Sequence, residues 1–163
     1  MTDLCVKINV DGSCFGNLGR SRFGGLIRNN AGEWISSFTG FYGFSTNLHV
    51  ELLAIFHGLK LVWDSGFKNV ICESDSQLAL SLIVNDGDKF HPQVVVIKRI
   101  KSLINLLLCL TLKHTLREGN EGVDWFAKYG ADNDHLFFIW GYCPTQLSYI
   151  LLFDVVGVVR LRH

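Results

Sequence analysis

The hydrophobic and polar positions alternate in three successive stretches at the start of the chain. Residues 4–13, 22–28 and 33–43 follow this two-residue period, which is typical of half-buried strands. Gly-containing segments, Gly16–Gly19 and Asn29–Gly32, separate them and have the composition of hairpin turns. The pattern therefore predicts an antiparallel meander of three strands.

The period then changes to that of a helix. From Asn47 to about Trp63, apolar residues recur at helical spacing, and Gly66 follows as a stop signal. The rest of the pattern predicts a strand over 69–75, helices over about 76–84 and 91–106, a strand near 108–116, and a helix over about 121–132. Strands that alternate with helices require at least one parallel pairing, so we expect a mixed sheet in an α/β domain.

The last part of the chain has a different character. Residues 134–163 are largely apolar but show no clear period. We expect a domain over residues 1–133, followed by an apolar C-terminal extension that is partly disordered. This extension either packs against the domain or is exposed to solvent.

Composition narrows the class of protein. A chain of 163 residues with 48% hydrophobic residues suits one domain with one core. The 15 basic and 15 acidic residues give zero formal charge, so the global positive field of many nucleic-acid binders is missing. Bound metal ions would supply positive charge locally, so a polyanionic substrate stays open.

The cysteines and the apolar stretches bear on the compartment. Five cysteines, an odd number without C-x-x-C spacing, favour a reduced intracellular protein without a zinc cluster. The first residues lack a signal-peptide pattern. The stretches Leu103–Leu112 and Leu147–Val159 are shorter than the ~18 apolar residues of a membrane span. We expect no membrane association, and the choice between nucleus and cytoplasm stays open.

Four acidic residues lie where strands end or helices begin. Asp11 follows the apolar run of the first strand, and Asp75 follows the strand over 69–75. Glu51 and Asp124 are predicted in the first turns of two helices. Carboxylates at the same end of one sheet suit hard cations such as Mg²⁺. The four together predict a divalent-metal cage.

Each acid also has a simpler explanation. Asp11-Gly12 is common turn chemistry, and Asp75 could cap the following helix. Glu51 could be a first-turn acid favoured by the helix dipole, although its apolar neighbours at positions 50 and 54 argue for burial. Asp124 could likewise be an acid in the first turn of a helix with no role in a site. Each simple explanation is plausible alone. That all four acids occur in this order for unrelated reasons is far less expected than that they form one shared site.

The acidic segments resemble a known family. INVDGSCFGN (8–17), HVELLAIFHGLKL (49–61), CESDSQLAL (72–80) and REGNEGVDWFAKYG (117–130) are similar to the four acidic motifs of the ribonuclease H type I family. They most resemble the plant ribonuclease H-like domains of retroelement-derived, non-LTR reverse-transcriptase proteins. The resemblance covers about residues 5–132 and implies a five-stranded mixed sheet, its first three strands antiparallel, with helices on both faces.

The resemblance also implies an activity. Family members hydrolyse the RNA strand of RNA–DNA hybrids with two Mg²⁺ ions, which Mn²⁺ can replace, and leave a 5′-phosphate and a 3′-hydroxyl. Carried over by motif, Asp11 bridges both ions, Asp124 completes the nucleophile side, and Glu51 with Asp75 holds the leaving-group side. The implied partner is nucleic acid, bound by a monomer or by part of a larger polyprotein.

Loops beside the acids match substrate contacts of that family. The matching residues are Cys14, Gly16, Asn17, Thr46, Asn47 and Gln77. Small polar groups suit the shallow groove in which 2′-hydroxyls are displayed. Thr46 and Asn47 are equally good helix caps, and they can do both. Two basic groups, Lys98/Arg99/Lys101 and Arg20/Arg22/Arg28, either steer phosphates or form solvated faces.

The chain departs from the family pattern in the link before the last helix. Many bacterial members carry a loop histidine there, whereas this chain has the short Arg117–Glu121. His114 fits a packed or edge position within a strand, and neither His49 nor His57 suits a site of hard oxygen ligands. Two alternatives stay open: a catalytically weak or inactive nucleic-acid-binding domain derived from a retroelement, and a protein-interaction module.

Overall fold

The computed structural model describes residues 5–14, 19–85, 92–115 and 137–140, the last of these as backbone only. Its six strands are β1 (Cys5–Cys14), β2 (Gly19–Arg28), β3 (Trp34–Ser45), β4 (Asn69–Ser74), β5 (Cys109–His114) and β6 (Phe137–Trp140). Its three helices are α1 (Asn47–Asp64), α2 (Gln77–Val84) and α3 (Val94–Leu106). The helix predicted over 121–132 lies outside the described residues.

The strands form one mixed sheet in the order β5-β4-β1-β2-β3-β6. The first three strands pair antiparallel, as the alternating pattern predicts. β4 pairs parallel with β1 on one side and with β5 on the other. The predicted five-stranded mixed sheet is therefore confirmed, with strand order β3-β2-β1-β4-β5.

A sixth strand was not predicted. β6 pairs antiparallel with β3, with Phe138 opposite Thr39. Four apolar residues in a row carry no two-residue period, so the sequence of the extension could not indicate a strand there. Part of the expected extension is thus an edge strand of the sheet, and the remainder lies outside the described residues.

The turn between β2 and β3 follows the expected chemistry. The side-chain Oδ1 of Asn29 accepts hydrogen bonds from the backbone N–H groups of Ala31 and Glu33, both at 2.9 Å. Gly32 has a φ of 81°, a conformation in which glycine meets no Cβ clash. Local side-chain bonding and one glycine therefore set this hairpin.

The core lies between the sheet and α1. A side chain at Gly58 of α1 would collide with Ile8 and Val10 of β1, so these strand residues face the helix at close range. α1 also packs against β2 and α3. Fully buried members of this core include Val6, Ile27, Phe38, Leu52, Ile55 and Ile100. Within the described part of the chain, no helix combines the length and apolarity needed to cross a membrane.

Candidate metal centre

Three of the four predicted acids converge. One ligand oxygen from each of Asp11, Glu51 and Asp75 lies within 4.8 Å of the other two. The three residues come from β1, from α1 and from the residue directly after β4. Asp124 lies outside the described residues, so its place beside them remains a prediction.

The parallel pairing of β1 and β4 brings Asp11 beside Asp75. Its last registered partners are Val10 and Ser74, and the next residue of each chain segment is an acid. The strand predicted over residues 4–13 spans Cys5–Cys14, so Asp11 lies within β1, opposite Gly24 of β2, rather than at its end. Asp11 instead marks the point where β4 leaves the side of β1. Its carboxylate therefore lies beside an open strand edge.

Glu51 reaches the same point from α1. It is the fifth residue of the helix, so the expectation of a first-turn acid was wrong. Gly12 allows the helix to approach, because a Cβ there would lie 2.6 Å from the carbonyl oxygen of Val50. The close contact of helix and strand, rather than the helix dipole, thus determines the position of Glu51.

Burial and charge both act on Glu51. Burial raises the pKa of its carboxyl group to about 10, and the neighbouring charges of Asp11 and Asp75 act in the same direction. The backbone N–H of Gly12 donates to this carboxyl group and partly offsets the increase. Its Oε2 atom is buried and has no hydrogen-bond partner. When no cation is bound, Glu51 is therefore protonated near neutral pH, and its Oε2 atom makes no hydrogen bond.

Thr46 and Asn47 connect the start of α1 to its surroundings. Thr46 is the N-cap, and its Oγ1 accepts a hydrogen bond from the backbone N–H of His49 at 3.2 Å. The Oδ1 of Asn47 accepts from the backbone N–H of Cys14 at 3.3 Å and from its Sγ at 3.0 Å. Asn47 thus ties the end of β1 to the start of α1, next to the acids. Gly16 and Asn17 lie outside the described residues.

The capping explanation for Asp75 was wrong. Ser76 is the N-cap of α2, and its Oγ accepts a hydrogen bond from the backbone N–H of Ala79 at 3.3 Å. Gln77 is the first residue of α2, two positions after Asp75. The carboxylate of Asp75 is therefore not required to cap the helix, and it lies within the acidic cluster.

The described histidines make contacts of their own. His49 Nδ1 lies 2.5 Å from the Oε1 of Gln93, and His57 stacks on Phe23 with 4.8 Å between ring centroids. Burial, with a smaller contribution from Lys60, lowers the pKa of His57 to about 4, so its ring is neutral. His114 ends β5, and its Nε2 lies 3.3 Å from the backbone oxygen of Asp75.

Two buried polar residues next to the acids were not identified from the sequence. Asn9 is 1% exposed and Glu73 is 6% exposed, and the Nδ2 of Asn9 donates to the Oε2 of Glu73 at 2.8 Å. Each lies two positions before a clustered acid, in N-x-D and E-x-D. A polar residue within an otherwise apolar strand was the available signal, because such a residue needs a buried partner.

The basic groups have different environments. Lys98 and Arg99 lie on the exposed face of α3, as a solvated face would. Arg28 instead donates from its Nη2 to the Oδ1 of Asn9 at 3.0 Å. Arg20 lies over the ring of Phe41, 5.2 Å from its centroid. The arginines of the first hairpin therefore do not form one solvent-facing phosphate patch.

Comparison with known proteins gives consistent results. Residues 9–130 match the family model described as "Reverse transcriptase-like". A protein of Arabidopsis thaliana named as a ribonuclease H protein is 26% identical over 158 residues, which cover 97% of this chain. The chain spans only 26% of the length of that relative.

Solved structures share the fold. The RNase H1 of the halophilic archaeon Halobacterium salinarum is 25% identical, with a TM-score of 0.74 over 79% of this chain and 98% of that one. LC11-RNase H1, solved in complex with an RNA/DNA hybrid, is 22% identical, with a TM-score of 0.72 over 79% and 98% of the two chains. The expected resemblance to ribonuclease H-like domains is confirmed.

Proposed function

Because this chain belongs to the reverse transcriptase-like family, we propose that it is a metal-dependent endonuclease that hydrolyses the RNA strand of RNA–DNA hybrids. The observation that carries the proposal is the meeting of the Asp11, Glu51 and Asp75 oxygens within 4.8 Å. Relatives named as ribonuclease H proteins support the reaction, and the hybrid-bound LC11 enzyme supports the substrate.

The donor set suits a hard divalent cation. All three clustered side chains offer carboxylate oxygens, which Mg²⁺ prefers, and Mn²⁺ accepts the same ligands. Glu51 Oε2 is buried without a hydrogen-bond partner and so has capacity for a ligand bond. We propose two ions and place Asp124 as the fourth ligand. Such ions would activate a water molecule and stabilise the leaving oxygen.

The side chains of the protein prepare this centre. β1 and β4 hold Asp11 and Asp75 in fixed register, and the close approach of α1 at Gly12 holds Glu51 against them. Glu51 must lose its proton when a cation binds, because its raised pKa keeps it protonated otherwise. We therefore expect cation binding to release a proton and to strengthen as pH rises.

The surrounding loops provide the proposed substrate contacts. Cys14 and Asn47 lie together between β1 and α1, Thr46 caps α1, and Gln77 begins α2. We propose that these residues, with Gly16 and Asn17, contact the hybrid. We propose that the domain, predicted over residues 1–133, also includes β6 as its edge strand. It is proposed to act inside the cell, as a monomer or as part of a larger polyprotein of retroelement origin.

Cleavage of a labelled RNA–DNA hybrid in Mg²⁺ tests the proposal. Asp11→Asn removes a ligand charge while it preserves the shape of the side chain. Since loss of residues that only support metal ligands lowers affinity or activity by about 10–100-fold, we expect a decrease of more than about 100-fold. Lys60→Ala, which removes an exposed ion pair at the end of α1, is the control and should cleave normally. Equal cleavage by wild type and Asp11→Asn would contradict the proposal.

A catalytically weak or inactive nucleic-acid-binding domain is the second candidate. Zero net charge and the short Arg117–Glu121 link without a histidine favour it. Calorimetric titration of Mg²⁺ into wild type and into Asp75→Asn distinguishes the two candidate functions. Only the nuclease requires that the wild type binds Mg²⁺ and that Asp75→Asn binds it less well. Hybrid binding that ignores Mg²⁺ and yields no product would favour the second candidate. A protein-interaction module would show no affinity for nucleic acid even at low salt.

A further inference from the structure

A buried polar bridge connects β1 and β4 one step before the clustered acids. Asn9 and Glu73 are registered partners in the parallel pairing, and the Nδ2 of Asn9 donates to Glu73 Oε2 at 2.8 Å. Residues two apart along a strand project to the same side. Asn9 and Asp11 therefore share one side of β1, and the bridge is the step that precedes Asp11 and Asp75.

The orientation of the Asn9 amide is set by its other neighbour. Arg28 of β2 donates from Nη2 to the Oδ1 of Asn9 at 3.0 Å. A guanidinium group can only donate, so it requires the oxygen of the amide and directs the NH₂ group towards Glu73. The bridge thus has a fixed direction of donation, from Arg28 to Asn9 to Glu73.

Positive charge around Glu73 stabilises its buried carboxylate. Lys7 Nζ lies 3.3 Å and Lys113 Nζ lies 3.9 Å from Glu73 Oε1. The interactions therefore join four adjacent strands: β2 through Arg28, β1 through Asn9, β4 through Glu73 and β5 through Lys113. None of these residues belongs to the acidic cluster.

We propose that Asn9 and Glu73, oriented by Arg28, are positioning residues for the metal centre. This inference rests on the proposed function. Slippage or separation of β1 and β4 would change the distance between the oxygens of Asp11 and Asp75. Mg²⁺ demands near-ideal octahedral ligands at about 2.0–2.1 Å, so small displacements weaken its binding. The bridge acts through these acids and does not contact the ion.

An exchange of donor and acceptor tests the bridge. Asn9→Asp keeps the shape of the side chain but turns its donor into an acceptor that faces the Glu73 carboxylate. Glu73→Gln supplies a donor, so the double variant restores one hydrogen bond with the opposite direction and leaves the total charge unchanged. Asn9→Asp and the double variant have the same side chain at position 9. They differ in whether the bridge forms and by one negative charge, for which Asn9→Ser is the control.

Calorimetric titration of Mg²⁺ and Mn²⁺, with kcat and KM for a hybrid, gives the readouts. We expect Asn9→Asp to lower Mg²⁺ affinity and kcat about 10-fold, the lower end for residues that support metal ligands, with KM little changed. The double variant should recover both to within about 3-fold of wild type. Lys60→Ala, which removes the exposed ion pair with Asp64 on α1, should match wild type. If Asn9→Asp fails to fold, Asn9→Ser removes the bridge without a new charge and should show the same loss.

The outcomes separate this proposal from the proposed function. Unchanged Mg²⁺ affinity in folded Asn9→Asp or Asn9→Ser, or a double variant no better than Asn9→Asp, would overturn the positioning role. A wild type that binds Mg²⁺ without cleaving hybrid would contradict the nuclease, while the affinities would still decide the role of the bridge. A wild type that binds neither ion would overturn both proposals.

Discussion

Both sides of strand β1 are buried, but by different kinds of interaction. The side towards α1 carries Val6, Ile8 and Val10, each at most 1% exposed. The opposite side carries Asn9 and Asp11, which are 1% and 6% exposed. Apolar packing thus stabilises one side, and hydrogen bonds and charges stabilise the other.

The difference shows that one side of β1 contributes mainly to the free energy of folding, and the other mainly to the register between strands. Apolar contacts are non-directional, so the helix-facing side contributes free energy of folding without specifying a register. Hydrogen bonds between buried groups require particular partners, and an unmade bond costs about 1–3 kcal/mol. The polar side therefore specifies which residues of β1 and β4 lie opposite each other, and it ends at the proposed metal ligands.

The largest effect on stability should come from the apolar side. Ile8 is fully buried, and Ile8→Ala leaves a cavity beneath α1. We expect the free energy of unfolding to fall by about 2–5 kcal/mol in urea denaturation. Mg²⁺ affinity, measured below the unfolding transition, should not change. A weakened Mg²⁺ affinity in the folded variant would contradict the claim that only the polar side of β1 affects the arrangement of the acids.

Glu51→Gln should change stability in the opposite direction. Glu51 titrates near 4.5 when exposed and near 10 in the folded protein. Between these values the folded state binds more protons than the unfolded state, so the free energy of unfolding falls as pH rises. Without divalent ions at about pH 8, we expect the variant to be more stable, because a neutral glutamine takes up no proton on folding whereas Glu51 must.

Denaturation curves at several pH values check this expectation. The variant should lose the decline in stability with rising pH, and saturating Mg²⁺ should stabilise the wild type more than the variant, because the ion binds the folded wild type. Asp64→Asn, a change to an exposed acid at the end of α1, provides the control. A wild type whose stability rises from pH 5 to pH 9 without metal would contradict the burial argument.

The smallest effect should come from the exposed member of the polar side. Lys7 Nζ lies 3.3 Å from Glu73 Oε1, but the Lys7 side chain is 41% exposed. Lys7→Gln should therefore lower the free energy of unfolding by only about 0–1 kcal/mol, and less at high salt. Titration of Mg²⁺ should give wild-type affinity. A loss comparable to that of Asn9→Asp would mean that charge, rather than the amide bridge, orders the acids.

The sequence predicted the elements whose residues repeat with a clear period. α1 was expected from Asn47 to about Trp63 and ends at Asp64, and the strand expected over 69–75 ends at Ser74. β6 could not be predicted, because its pairing with β3 joins segments about 100 residues apart and leaves no local signal. Periodicity indicates which face of an element is buried. It does not indicate which strand, distant in sequence, pairs with the edge of a sheet.

The site was predictable as a set of acids, but not in its local geometry. The motifs indicated Asp11, Glu51 and Asp75, and their meeting required the parallel register that only the folded chain has. The place of Glu51 in the second turn depends on the contact of Gly12 with Val50, which is a tertiary feature. Asn9 and Glu73 were overlooked because each polar residue has its partner 64 positions away.

The pairing of β6 with β3 has a consequence for synthesis of the chain. Residues 137–140 leave the ribosome after all the other described strands, so the outer edge of β3 has unpaired backbone groups until then. Such an edge is a template for a strand of another chain. Nascent copies on one messenger are therefore most prone to associate in the interval before Phe137–Trp140 emerges, and a stall in translation just upstream would prolong that exposure.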